Sequence, residues 1–209
     1  MNRRTLLAFA TAGLTLAGTA AMAQAPSPAA PSAGPARLRG VINSVSADTL
    51  QMTTRAGMAM TVKLPENLRV NSMFASKLTD VQPGSYIGSA ATPQPDGTLR
   101  ALQVTIFPPA ARGTAEGHFP WDLTPSSTMT NGTVGNITSA NGRVLTVKYG
   151  NAEKQILVPE DVPVVSFEPG TRELLVPGAQ IILNGTRAAD GTVTAGSVSV
   201  GKDGLIPPN

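Results

Sequence analysis

"DVQPGSYI" at residues 80–87 returns as "LLVPGAQI" at 174–181, and "PDGTLRALQV" at 95–104 returns as "ADGTVTAGSV" at 189–198. "LPENLRV" at 64–70 has its counterpart in "VPEDVPVV" at 158–165. Pro65 and Pro159, Pro83 and Pro177, and Asp96 and Asp190 each stand 94 residues apart. An earlier pair, "RGVINSV" at 39–45 and "NGTVGNI" at 131–137, is offset by 92. Matches at nearly one spacing mark an internal duplication. The copies span 37–107 and 131–202.

Each copy is written in strands. Val41 and Val45 alternate, then "SAD" turns the chain. Leu50 and Met52 alternate next, and after Ala56-Gly57 come Val62 and Leu64. In the second copy Leu145, Val147 and Tyr149 follow Asn141-Gly142, a dipeptide suited to a type I′ hairpin. Ile156 and Val158 take the places of Val62 and Leu64. Pro83-Gly84 and Pro177-Gly178 precede apolar runs; Asp96-Gly97 and Asp190-Gly191 make the last hairpins. The closing strands carry Leu102, Val104 and Ile106, and Val198 and Val200. Helical periodicity is nearly absent, so the fold class is all-β. About 70 residues in this pattern suit a small closed barrel that hides its strand edges. The expectation is two tandem small antiparallel β-barrels joined by a connector at 108–130.

The flanks read differently. Arg3 and Arg4, an apolar run and Ala21-Met22-Ala23 make a signal peptide over 1–23, too short for a membrane span. The twin arginines suit either of the two bacterial export routes. Residues 24–36 are Pro/Ala-rich and read as a flexible tether; 203–209 are a C-terminal tail. The expected location is the periplasm or the extracellular medium.

The whole chain holds 16 basic and 13 acidic residues. Loss of Arg3 and Arg4 with the leader leaves 14 against 13, a net charge of +1. No basic block is left to meet phosphates, so nucleic acid is not an expected partner. No second apolar run could span a bilayer, and a partner in the cell envelope is the open expectation. There is no cysteine, hence no disulfide, thiol nucleophile or thiolate metal site.

The segments "RGVINSVSADTL" and "LTDVQPGSYIGSAATPQPDGTLRALQVTIFP", with their second-copy partners, resemble an exported bacterial domain-of-unknown-function family. The connector "GTAEGHFPWDL…STMTN" is similar to that of its two-copy proteobacterial members. The resemblance implies OB-like barrels and an exported address. Some relatives carry a label tied to metal transport. It implies no catalytic residue.

The connector holds the chain's one histidine and one tryptophan. Glu116, His118 and Asp122 are imidazole and carboxylate groups of the kind that hold Cu or Zn. In an extended chain Glu116 and His118 point the same way, and a bend at Pro120 would bring Asp122 near. The competing reading makes Phe119 and Trp121 packing groups between the barrels, with His118 a polar latch. Met52, Met58, Met60, Met73 and Met129 offer thioethers to Cu(I), but Met52 and Met60 share faces with core residues. Ser126 or Ser127 with His118 and Asp122 makes a hydrolase triad only on paper, without G-x-S-x-G around the serine. The function expected is therefore non-enzymatic: an exported binding or scaffold protein without a cofactor. The alternative is periplasmic Cu or Zn handling through His118.

Overall fold

In the computed structural model residues 33–138 and 143–208 are described; the leader, residues 24–32 of the expected tether and the Asn141-Gly142 turn lie outside them. The first copy runs β1 (Gly34–Val45), β2 (Thr49–Thr54), β3 (Ala59–Lys63), β4 (Arg69–Ser76), a 3-10 turn (Leu78–Asp80), β5 (Tyr86–Pro93) and β6 (Leu99–Ile106). The connector holds a 3-10 turn (Pro109–Ala111) and β7 (Gly117–Pro120). The second copy runs β8 (Thr128–Thr138), β9 (Val144–Tyr149), β10 (Ala152–Leu157), β11 (Val164–Pro169), a 3-10 turn (Arg172–Leu174), β12 (Gln180–Arg187) and β13 (Val193–Gly201). The chain is all-β, and its strands join in one hydrogen-bonded sheet.

The duplication extends to strand register. Ile181 faces Gly40 across β12–β1, and Ile87 faces Gly132 across β5–β8. Irregularities fall between Ala90 and Ala91 in one copy and between Asn184 and Gly185 in the other. Met73 of β4 pairs with Phe167 of β11. These two are counterparts, 94 residues apart, so the internal two-fold axis passes between them.

Two circuits of pairing return to their own start. In one, β1 pairs β2, β2 pairs β3, β3 pairs β13, β13 pairs β12, and β12 pairs β1. In the other, β8 pairs β9, β9 pairs β10, β10 pairs β6, β6 pairs β5, and β5 pairs β8. β4 and β11 pair across the axis, β4 also with β13 and β11 also with β6.

The copies have therefore exchanged their last hairpins. One core packs Ile42, Leu50, Met52 and Val62 of the first copy against Ile181, Leu183, Val193 and Val198 of the second. The other packs Leu145, Val147 and Ile156 of the second copy against Ile87, Leu99 and Val104 of the first. The chain changes core along β4 and the turn after it. Val70 lies in the first core and Val81 in the second, and Val164 and Leu175 mirror them. The boundaries 37–107 and 131–202 thus follow the repeat in the sequence, not the packing. Burial of such side chains, at about 1.5–3 kcal/mol each, ties the copies to one another.

Three local expectations change. The tether ends sooner: Gly34, Pro35 and Ala36 already pair with Arg187, Thr186 and Gly185, and Ala36 is buried. The buried face of β1 is Leu38, Gly40 and Ile42 rather than Val41 and Val45. Gly40 hides that face in the sequence because it has no side chain, and packing explains the choice. A Cβ there would stand 2.0 Å from the Thr53 carbonyl oxygen; at its counterpart Gly132 one would stand 2.2 Å from that of Lys148. Finally, the tail folds back: Pro207 is buried, and its carbonyl accepts a hydrogen bond from Arg55. The Pro-Gly turns form as expected, Gly84 and Gly178 having φ of 87° and 86°, a region glycine enters without a Cβ penalty.

Candidate functional site

The connector is a strap that touches both circuits. Its first part lies on β5, β8 and β9. The Tyr86 hydroxyl donates to the Thr114 carbonyl at 3.0 Å, and Asn131 Nδ2 donates to that of Ala115 at 3.0 Å. β7 then pairs with β8 from Gly117↔Asn131 to Pro120↔Thr128. The expected connector ends three residues early, since Thr128–Thr130 belong to β8 and Met129 and Thr130 are buried. After Pro120 the chain crosses to β1. There the Arg37 guanidinium lies 3.6 Å from the centre of the Trp121 ring, close enough for cation–π attraction. Arg37 is held in turn by Asn184 Oδ1 and Asp122.

The strap's polar groups are divided between its two ends. Glu116 Oε1 accepts from the Gly150 N–H at 2.7 Å. His118 Nδ1 shares a hydrogen bond of 2.8 Å with the Thr130 hydroxyl, and its ring stacks on Tyr149. Asp122 instead meets Arg37 at 3.0 Å and Arg39 at 2.8 Å on β1. Pro120 carries Asp122 away from His118 rather than toward it. The three expected metal ligands do not converge, and among the described residues no group of three or more His, Asp or Glu is arranged to hold an ion. Ser127 Oγ donates to the carbonyls of Trp121 and Thr124, closing the turn that follows Trp121. The paper triad with His118 is not assembled. Met58 is exposed on the β2–β3 turn, whereas Met129 is buried on β8, so those thioethers and His118 lie on different elements.

Charge and burial set the protonation of two of these groups. The Arg39 hydrogen bond, with the Arg37 charge beside it, holds the Asp122 carboxyl below its ordinary range despite partial burial. Partial burial, reinforced by the nearby Lys154 charge, lowers His118 below the usual imidazole value. A histidine with a depressed folded value favours folding in its neutral form. Its contribution is present above the unfolded value of about pH 6.5 and is lost as pH falls through the folded value. Chemical denaturation at pH 7 and pH 5 should show a smaller loss of stability in His118→Gln than in wild type. Equal losses would show that His118 does not titrate with folding.

One concavity lies on the two-fold axis. It is a cleft of about 330 Å³. Its wall includes counterpart residues from both copies: Met73 with Phe167, Gly88 with Ile182, and Thr105 with Ser199. Phe107 and Phe167 meet edge to face at 5.2 Å. The strap adds Ala111, Thr114 and Trp121 to the wall, and Trp121 has no counterpart in the repeat. Two buried polar atoms at this wall, Trp121 Nε1 and Asn131 Oδ1, have no hydrogen-bond partner, a costly arrangement in a folded chain. No protein-family model, curated protein or solved structure matches this chain.

The sequence reading found Trp121 and missed the rest of the cleft. Arg69 and Asn71 on β4, and Ser197 and Ser199 on β13, look like solvent-facing positions of ordinary strands. Only the exchange of hairpins sets β13 beside β4, with Ser197 against Arg69 and Ser199 against Asn71. The usable signal was the alternation itself: Val70, Val198 and Val200 occupy the core face, leaving polar groups on the other.

Proposed function

We propose that this chain is an exported, non-enzymatic binding protein of the bacterial envelope, built from two small OB-like barrels that have exchanged hairpins. Its ligand enters the cleft on the two-fold axis. That cleft carries the reading: its volume is in the range of small-molecule sites, and it joins both copies to the strap. The leader-like residues 1–23 support export. The closed circuits of pairing support barrels, because closure removes exposed strand edges. Among the described residues no helix is long and apolar enough to cross a membrane.

The lone tryptophan supplies the test. A low-molecular-weight extract of the cell envelope should change Trp121 emission in wild type but not in Ser199→Phe, where a bulky ring fills the cleft without adding a second indole. An extract without effect on wild type would remove the binding reading. Recovery of the chain from the periplasmic fraction with the mass of residues 24–209 would establish export; retention of the leader in the cytoplasm would defeat it.

A second reading, Cu or Zn handling, draws on Glu116 and His118, whose side chains both meet the β9–β10 turn at Tyr149 and Gly150. Calorimetric titration with Cu(II) and Zn(II) decides it. Binding tighter than about 10 μM, on the affinity scale of, that is lost in His118→Ala would support it; none in wild type would end it.

A further inference from the structure

We infer that the axial cleft takes a pyranose ring of a short glycan, an assignment that rests on the binding reading above and names the chemistry of its ligand. The argument starts from side-chain alternation. On β4 and β13 every second residue faces the first core, so Arg69 and Asn71 share the opposite face with Ser197 and Ser199. Parallel pairing sets them side by side as a two-rung polar ladder. The side chains of these four residues make no hydrogen bond to another group among the described residues, so their donors and acceptors are open to a ligand. Asn184 adds an amide, whose oxygen is already taken by Arg37.

Beside this ladder are rings and apolar groups. Met73 is next on the same face of β4, Phe167 is its partner on β11, and Trp121, Phe107 and Met129 complete this part of the wall. The indole does not swing freely: the Arg37 guanidinium covers one face, and Arg37 is itself tied to Asn184 and Asp122. A wall set before the ligand arrives avoids the entropy of ordering it on binding. Amide and hydroxyl groups next to aromatic rings in one cleft match a pyranose, whose hydroxyls lie around its rim while its C–H faces are apolar. No carboxylate lines the cleft, so a cation has no counter-charge there. A single guanidinium, Arg69, is too little for a phosphate backbone, yet it can meet one carboxylate of an acidic sugar. A fatty chain would leave the polar ladder unsatisfied.

The experiment is a fluorescence titration of the purified chain with maltotriose, N,N′-diacetylchitobiose and digalacturonate, read on Trp121. At least one should give a saturable change with a Kd below about 1 mM, on the scale of. Asn71→Ala and Ser199→Ala should each weaken that binding roughly three- to tenfold, the worth of one hydrogen bond, with melting temperature unchanged. If digalacturonate binds best, Arg69→Gln should remove its advantage and leave the neutral sugars where they were. Two results overturn the inference. One is saturable sugar binding that both alanine variants leave intact, which places the site elsewhere. The other is no response to any of the three sugars; if the envelope extract still shifts Trp121 emission, the cleft binds a ligand of another class.

Discussion

Ending the chain at Val176, so that β12 and β13 are missing, is expected to unfold β1, β2 and β3 and to leave β5, β6, β8, β9 and β10 folded. The outcome is counter-intuitive for a tandem repeat, because the truncated copy is the second and the copy that melts is the first. It follows from the pairing. β12 lies between β1 and β13, and β13 closes the circuit by pairing with β3. Ile181, Leu183, Val193, Ala195, Val198 and Val200 all belong to the core beneath β1–β3. At about 1.5–3 kcal/mol for each fully buried large side chain, their loss removes roughly 10 kcal/mol, as much as the whole stability of an ordinary domain. What remains of that circuit is a three-stranded meander whose apolar face has lost the β12 and β13 residues that cover it, with too little buried surface to offset the entropy of ordering it. The other circuit draws nothing from residues beyond 176. Hydrogen exchange read by mass spectrometry separates the two cases. Protection lost over residues 34–63 and kept over 86–106 and 128–157 is the expected pattern. Protection kept over 34–63 would show that the first copy closes on its own hairpin and would refute the exchange.

The sequence carried more of the fold than of the site, for physical reasons. A 94-residue offset between turn residues is legible because Pro-Gly and Asp-Gly turns constrain the backbone locally. The same is true of core strands such as Leu50-Gln51-Met52, where alternation reports burial directly. Nothing local distinguishes hairpins that fold back on their own copy from hairpins that cross to the other. Both use the same inward residues, and both satisfy the same backbone groups. The choice lies in β4 and β11, where Met73 meets Phe167 across the axis, and a self-pairing between counterparts leaves no mark in either copy alone. The candidate site inherits that blindness. His118 and Trp121 drew attention because each residue type occurs once, and the strap does place Trp121 at the cleft. Sequence distance groups Asp122 with His118, whereas Arg37 and Arg39, more than eighty residues away, claim it. The polar ladder of Arg69, Asn71, Ser197 and Ser199 exists only once the hairpins have crossed.

Trp121→Ala is expected to lower the melting temperature by roughly 5–10 °C, the counterpart of about 2–3 kcal/mol in a chain of this size. Competing terms set that figure. A fully buried tryptophan cut to alanine costs about 3–5 kcal/mol, but this indole is half-buried, so only part of that applies. Its attraction for Arg37 adds about 0.5–2 kcal/mol. Against these, Nε1 is buried without a partner, a penalty of about 1–3 kcal/mol that the wild type already bears and that alanine would relieve. Packing wins over relief because the ring also holds the end of the strap against β1. Trp121→Phe tests this division. It keeps an aromatic face for Arg37 and discards the unpaired N–H, so it should melt within about 1 kcal/mol of wild type. Asp122→Ala should do far less harm than Trp121→Ala, since a half-exposed ion pair is worth about 0–1 kcal/mol. An alanine variant at Trp121 that melts with wild type would show that β7 and the strap's polar contacts hold it without the indole. The ranking Trp121→Ala well below both Trp121→Phe and Asp122→Ala would show that the indole fixes the end of the connector to β1. In that case the cleft wall is part of the fold, and a ligand meets it already formed.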